Sequence, residues 1–196
     1  MQPSRTPLTS LSINELGSHF ERLGEPRYRA DQLGRWLYRH AATRIGEMTD
    51  LSGNLRDHLH RSFAMHGLRL QRSVVSSDGI TQKLLLEALD GVMVESVLLP
   101  RRRGMALCLS SQAGCAMRCP FCATGLGGFH RNLTSGEIID QFLLARSTVA
   151  ASHSGIGSVV YMGMGEPLAN FANVRESVGR LVSNEYCGLG ARRITI

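Results

Sequence analysis

The sequence contains no apolar run that approaches the roughly 20 residues needed to span a bilayer. Residues 1–9 lack an apolar signal core and include two prolines, so we expect no secretory signal. Hydrophobic residues make up 43% and charged residues 19% of the 196 positions, proportions that are typical of a globular protein. We therefore expect a cytoplasmic protein without a membrane partner, in a compartment where thiols stay reduced.

Lysine is almost absent from a chain that carries a net charge of +6. Lys83 is the only lysine among 22 basic residues. The planar fork of arginine binds phosphate and stacks on bases, although a GC-rich genome would also enrich arginine. Two groups of arginines stand out: Arg27, Arg29, Arg35, Arg39 and Arg44, which are opposed only by Asp31, and Arg101 to Arg103. Such clusters predict a nucleic-acid partner, with a solvated face as the alternative.

The five cysteines do not suggest a disulfide framework, because their number is odd and no secretory signal accompanies them. The usual second ligand pair of a structural zinc site is also missing, since the sequence has no second CxxC and no HxxxH. Zinc bound by three thiolates together with His130 or Cys108 remains an alternative at this stage.

Three of the cysteines form a CxxxCxxC run at Cys115, Cys119 and Cys122. Three thiolates can bind three irons of a 4Fe–4S cluster, whose irons are usually held by four cysteines. The fourth iron is then open to S-adenosylmethionine (SAM), whose amino and carboxylate groups can chelate it before one electron breaks the sulfonium bond. The spacing therefore predicts an open iron–sulfur cluster at these residues.

The first 66 residues show helical patterns. Ser12 and Glu15 form a capping box for one helix, a second runs over about 28–40, and a third begins near Leu51. We expect a small helical domain over 1–66, whose basic side contacts RNA or which forms a lid.

From residue 68 the period changes to that of strands. Segments 68–76, 80–88 and 92–99 are separated by glycine turns, which predicts an antiparallel meander over 67–104. From residue 105 to 196, strands alternate with helices, which predicts an α/β fold with a parallel sheet or barrel. In such folds the chemistry lies at the carboxyl ends of the strands, where the cysteine run and the turn at 163–167 both fall.

The last residue, Ile196, ends inside an apolar strand. A parallel sheet left open at that point would expose unpaired backbone and apolar surface. We therefore expect an incomplete barrel and a chain that is part of a longer protein.

Several motifs resemble one family closely over essentially the whole chain. They are Ser110-Ser111-Gln112-Ala113-Gly114-Cys115, the CxxxCxxC run, Gly128-Phe129-His130-Arg131-Asn132-Leu133, Met162-Gly163-Met164-Gly165-Glu166-Pro167, and the strand Val94-Glu95-Ser96-Val97-Leu98-Leu99-Pro100. The chain resembles the RlmN/Cfr family of radical SAM RNA methyltransferases. The RlmN type methylates C2 of an adenine in 23S ribosomal RNA and in some transfer RNAs, and the Cfr type, which acts at C8, is the alternative.

The resemblance implies roles for individual residues. It places the cluster on the three motif cysteines, SAM contacts on Gly165 and Glu166, and the acceptor of the adenine proton on Glu95. By strand alternation, Glu95 shares a face with Met93, Val97 and Leu99, which predicts an apolar setting. Without the resemblance, a strand-end turn and a solvent-facing carboxylate explain these residues more simply.

The resemblance also implies two SAM molecules, a flavodoxin-like electron donor and a monomeric enzyme. Family members carry the methyl group on a second cysteine near their C-terminus, which neither Cys108 nor Cys187 matches. We therefore expect this chain alone to be inactive in methyl transfer while still binding the cluster. A metal-stabilised RNA-binding module without catalysis is the alternative from another class.

Overall fold

A computed structural model describes residues 5–102, 104–149 and 155–196. Its N-terminal region is helical, as predicted, and two short strands join its ends. The elements in chain order are β1 (Thr6–Pro7), α1 (Ile13–Arg22), α2 (Tyr28–Gly34, which continues as a π-helix over Arg35–Arg39), α3 (Gly53–Ser62) and β2 (Phe63–Ala64). β1 pairs with β2 in parallel, so the region closes on itself.

The helices begin where side chains satisfy their free backbone N–H groups. The Ser12 hydroxyl accepts a hydrogen bond from the Glu15 N–H, and the Ser12 N–H donates to the Glu15 carboxylate over 2.7 Å, which confirms the predicted capping box. At the start of α3, the Ser52 hydroxyl accepts a hydrogen bond from the Leu55 N–H. The π-helical end of α2 was not predicted, and Arg146 donates to its Tyr38 and Arg39 carbonyls.

The described residues from 68 onward form a mixed sheet with three α-helices and a small hairpin. The elements are β3 (Leu68–Val75), β4 (Gln82–Ala88), β5 (Met93–Pro100), β6 (Met105–Cys108), β7 (Gln112–Gly114), α4 (Ala123–Leu126), β8 (Phe129–Asn132), α5 (Ser135–Val149), β9 (Ile156–Val160), α6 (Phe171–Val182) and β10 (Ile194–Thr195). The strand order is β10-β9-β6-β5-β4-β3. The first three of these strands are parallel, and β6 to β3 are antiparallel.

This sheet confirms the predicted α/β class and the predicted meander. The turns of the meander contain Gly79 and Gly91, whose φ angles of +72° and +84° favour glycine. The meander and the parallel strands share one sheet, because β5 pairs directly with β6. Over the described residues the sheet is open, so it is part of a barrel and not a closed one.

The two faces of the meander differ. Leu84, Leu86, Val94 and Leu98 are buried in the core that α5 covers. The alternate residues of β4 and β5 are half-buried or exposed, and we call their side the open face: Lys83, Leu85, Glu87, Glu95, Val97 and Leu99.

Helix α5 lies between the sheet and the N-terminal helices. On the sheet side, the Ser96 hydroxyl donates to Gln141 over 2.7 Å. On the other side, Gly136 packs so closely that a Cβ atom there would lie 2.9 Å from the Thr9 carbonyl oxygen. Most residues of α5 are buried as a result. The N-terminal helices therefore do not form a lid over the open face.

The first predicted arginine cluster is largely paired. Asp31 is the only acidic residue within the stretch itself, but the fold brings in carboxylates from outside it. The pairs are Arg27–Glu21 at 3.4 Å, Arg29–Glu25 at 3.6 Å, Arg35–Asp50 at 3.9 Å and Arg44–Glu47 at 3.1 Å. In the second cluster, Arg103 lies outside the described residues, and Arg101 donates to the Ser158 hydroxyl.

None of the helices in the part of the chain that the structure describes is long and apolar enough to cross a membrane.

Candidate active site at the strand ends

Two chain segments meet at the carboxyl ends of the parallel strands β6 and β9. The Gly163 N–H donates to the Leu109 carbonyl over 3.0 Å, and the Met164 carbonyl accepts from the N–H groups of Ser111 and Gln112 over 2.8 and 3.1 Å. Neighbouring parallel strands end at the same edge of a sheet, where ligands of such folds bind. The structure thus confirms that the segment leading to the cysteine run and the 163–167 turn share this edge.

Gly165 allows the turn to approach the cysteine segment. Its φ angle is +95°, and a Cβ atom there would lie 2.4 Å from Cβ of Gln112, so a larger residue does not fit. Gln112 in turn accepts a hydrogen bond from the Glu166 N–H over 2.9 Å. The Glu166 carboxylate accepts from the Leu168 N–H through Oε1, over 3.0 Å. Both residues therefore form a tight strand-end turn.

A buried polar network connects this turn to Glu95. The Ser110 hydroxyl donates to the Glu95 carbonyl over 2.6 Å and accepts from the Met164 N–H over 2.8 Å. The side-chain amide of Gln141 accepts from the Ser110 N–H over 2.8 Å and donates to the Ser110 carbonyl over 2.9 Å. The structural roles of Ser110 and Gln141 were not predicted from the sequence. A glutamine beside Ile138, Ile139 and Phe142 on a buried helix was the available signal, because buried polar groups need partners.

The base of the cysteine loop is fixed by the β7–β8 hairpin. The Cys115 N–H donates to the Gly128 carbonyl over 2.9 Å. Gly114 has a φ angle of +75°, and a Cβ atom there would lie 2.0 Å from the Gly128 oxygen. Cys115 is buried, whereas Cys119 and Cys122 are partly exposed on the loop. One end of the loop is therefore anchored and the other faces solvent.

The thiols of the loop have the chemistry of metal ligands. The N–H groups of Gly125 and Thr124 donate to Cys122 and lower the pKa of its thiol, which favours the thiolate that binds metals. All three motif cysteines are free. Their side chains do not converge, since among the described residues no three histidine, cysteine or acidic side chains are grouped to hold a metal ion. The donor set itself, three thiols on one loop, fits a thiolate-bound cluster.

Glu95 lies on the open face of the meander. Its Oε1 is 3.0 Å from Nζ of Lys83, and its side chain is 42% exposed. The predicted apolar setting is therefore wrong. Met93 and Leu99, which were expected to enclose Glu95, are each 37% exposed, because α5 covers only the opposite face.

Comparison with known proteins supports a single assignment. Residues 6–65 match the family model for the ribosomal RNA large subunit methyltransferase N-terminal domain. Two curated relatives are each described as a probable dual-specificity RNA methyltransferase RlmN. The one from Chlorobaculum tepidum is 43% identical and matches 98% of this chain and 54% of its own length. The one from Aquifex aeolicus is 44% identical and matches 96% of this chain and 53% of its own length.

A solved structure agrees with these relatives. The radical SAM methyltransferase from Sphaerobacter thermophilus superimposes with a TM-score of 0.92 at 38% identity, over 96% of this chain and 55% of that one. The chain is thus similar to the RlmN methyltransferases over almost its whole length. It spans about half the length of the curated RlmN relatives that it matches.

A cleft of about 530 Å³ opens beside the cysteine loop. One wall is the turn at 90–93, the other contains Gly114 and His130, and Met164 contributes to the lining. Arg131 connects the two walls of the cleft. It donates to both carboxylate oxygens of Asp90, over 2.6 and 3.1 Å, and to both of Glu137, over 2.9 and 2.8 Å. These hydrogen bonds lower the pKa of Asp90 and raise that of Arg131.

The two cysteines outside the motif have a different environment. Burial raises the pKa of Cys108, which lies in β6, and raises that of Cys187 to about 12. Both are therefore protonated thiols at neutral pH, and neither has the character of a metal ligand. They are therefore suitable controls for the three motif cysteines.

Proposed function

We propose that this chain provides the cluster-binding and SAM-binding part of an enzyme that methylates C2 of adenine in 23S ribosomal RNA and in transfer RNA. The description of its relatives as RlmN enzymes supports the RlmN type over the Cfr type. The single observation that carries the proposal is the joining of the cysteine segment to the Met-Gly-Glu-Pro turn through the Met164 carbonyl. We further propose a cytoplasmic monomer with a flavodoxin-like electron donor.

Cys115, Cys119 and Cys122 would hold the 4Fe–4S cluster. When bound, the cluster supplies the single electron that cleaves SAM. Cys115 is held in place by the β7–β8 hairpin, so Cys119 and Cys122 would move toward it as the loop closes. Metal sites are commonly ordered only when the metal binds, which agrees with three free thiols that do not converge.

The 163–167 turn would hold SAM beside the cluster. Glu166 uses Oε1 for the Leu168 N–H, which leaves Oε2 to accept from the SAM amino group. Gly165 keeps the turn against Gln112, so the backbone of the turn stays at the strand edge.

Glu95 would accept the C2 proton of the adenine. Its carboxylate is exposed enough to reach a nucleotide, and Lys83 holds Oε1 while Oε2 stays available. The Glu95 carbonyl accepts a hydrogen bond from the Ser110 hydroxyl, so the position of Glu95 depends on the same network that supports the turn.

Anaerobic reconstitution with iron and sulfide tests the cluster assignment. We expect about four irons and four sulfides per chain, together with the visible absorbance of a cluster. Cys119→Ala should abolish this absorbance, because the loop then offers two thiolates. Cys187→Ala is the matched control and should keep the absorbance. Stoichiometric zinc without iron, or retention of the absorbance in Cys119→Ala, contradicts the proposal and supports a structural metal module instead.

A further inference from the structure

The distribution of free positive charge near Glu95 differs from that in the N-terminal helices. Most arginines of the 27–44 cluster have carboxylate partners within 4 Å. On the open face, Lys83 is paired with Glu95, and Arg69 is paired with Glu87 at 2.6 Å. These cations are therefore already engaged by carboxylates of the sheet.

Arg72 is the exception on this face. It lies on β3, opposite Leu85 of β4, and Leu85 lies opposite Glu95 of β5. Residues opposite each other on neighbouring strands project to the same face, so Arg72 shares the open face with Glu95. Arg72 is exposed and has no carboxylate partner within 4 Å among the described residues.

The spacing between Arg72 and Glu95 suits a nucleotide. Neighbouring strands are about 4.8 Å apart, so two strands separate the backbones of these residues by about 10 Å. That distance is comparable to the span from the phosphate to the base of one nucleotide. A guanidinium two strands from the carboxylate can therefore bind a backbone phosphate while the base reaches Glu95.

We propose that the open face of the meander is an RNA-docking surface on which Arg72 binds a backbone phosphate of the substrate, next to the nucleotide presented to Glu95. This inference rests on the proposed function, since it takes RNA as the substrate. Among the described residues of this surface, Arg72 alone offers an unpaired positive charge to RNA, because Lys83 and Arg69 are paired with Glu95 and Glu87. Arg72 is thus a positioning residue and takes no part in the chemistry.

The test measures RNA binding by the chain itself, without methylation. A fluorescein-labelled RNA hairpin with an unpaired adenine in its loop is titrated with protein, and anisotropy is recorded at salt concentrations from about 50 to 200 mM. The variants are Arg72→Ala and Arg72→Lys. Arg192→Ala is the control, because Arg192 is also exposed but precedes β10 at the opposite end of the parallel strands.

We expect Arg72→Ala to weaken binding at every salt concentration and to reduce the slope of log affinity against log salt by about one. Arg72→Lys should restore most of the slope, because the charge is kept. An unchanged melting temperature in Arg72→Ala would show that the fold is intact, as expected for a side chain without partners.

Three results would overturn the inference. They are an unchanged salt slope in Arg72→Ala, an equal loss in Arg192→Ala, and no RNA binding by the unmodified chain at the lowest salt. Failure of the proposed function is distinguishable, because it appears as missing iron and sulfide in the reconstitution experiment.

Discussion

The N-terminal helices and the strand-end edge use similar residues in opposite ways. In the helices, Leu16, Phe20 and Leu37 are completely buried. At the strand-end edge, Phe121 is 89% exposed and Leu126 is 77% exposed, within or next to a loop of free thiols. Apolar side chains grouped at a surface usually mark a site for a ligand or partner. The first region thus uses its side chains for its own stability, and the second keeps them available.

The largest expected effect comes from the junction between the two regions. Asp140 of α5 is completely buried and accepts hydrogen bonds from the N–H groups of Gly67 and Leu68, over 2.6 and 3.2 Å. It also contacts the His66 ring over 2.7 Å. Asp140→Ala would leave these donors buried without a partner, and we expect it to lower the free energy of unfolding by about 3 kcal/mol or more.

Urea denaturation measures this effect, and Asp57→Ala on the exposed side of α3 is the control. The control should change the free energy of unfolding by less than about 0.5 kcal/mol. Equal effects of the two variants would show that the junction does not hold the regions together.

Replacing Arg131, which lies at the strand-end edge, should have an intermediate effect on the free energy of unfolding. Arg131→Ala removes the bidentate contacts to Asp90 and Glu137 and should cost about 1–3 kcal/mol at neutral pH. Because Arg131 lowers the pKa of Asp90, this stabilisation is complete above the pKa of unfolded aspartate, about 3.9, and is lost as the pH falls through the lowered value.

The difference in free energy of unfolding between the original chain and Arg131→Ala, measured by urea denaturation, should therefore decrease as the pH is reduced toward 3. Arg69→Ala removes a more exposed ion pair with Glu87 and should cost less than about 1 kcal/mol. If this difference in free energy does not change with pH, the contact between Arg131 and Asp90 is not its source.

The smallest effect is expected inside the N-terminal helices. Nε2 of His19 on α1 lies 3.1 Å from Nε2 of His58 on α3, and burial, together with the charges of His58 and Arg22, lowers the pKa of His19. Unfolded histidine, with a pKa of about 6.5, then binds protons more readily than the folded chain. Stability should therefore decrease slightly as the pH falls below about 6.5.

Thermal melts at pH 7.5 and 5.5 would detect this decrease. His19→Gln should reduce the difference between the two melting temperatures, while the exposed His60→Gln should leave it unchanged. An undiminished difference in His19→Gln would assign the acid sensitivity to other groups.

The local parts of the fold could be predicted because their causes lie within a few residues. The capping box at Ser12, the glycine turns of the meander and the placement of the strand-end turn are all confirmed. Each depends on backbone groups that a neighbouring side chain satisfies or that only glycine permits.

Features that depend on distant partners could not be predicted in this way. The surroundings of Glu95 follow from which face α5 covers, and alternation within one strand does not contain that information. The pairing of Arg35 depends on Asp50, which follows it beyond the end of α2 and which only the fold brings close. Gln141 and Arg131 likewise act across long sequence separations.

The position of α5 between two layers also has a consequence for ligand binding. Because the helix is buried against both layers, neither can separate without exposing it, so the chain should unfold in one cooperative step. Any ligand that binds only the folded strand-end edge then shifts the whole equilibrium, in proportion to the logarithm of its concentration. The melting temperature of the remote N-terminal helices thus becomes a reporter of occupancy at the cysteine loop.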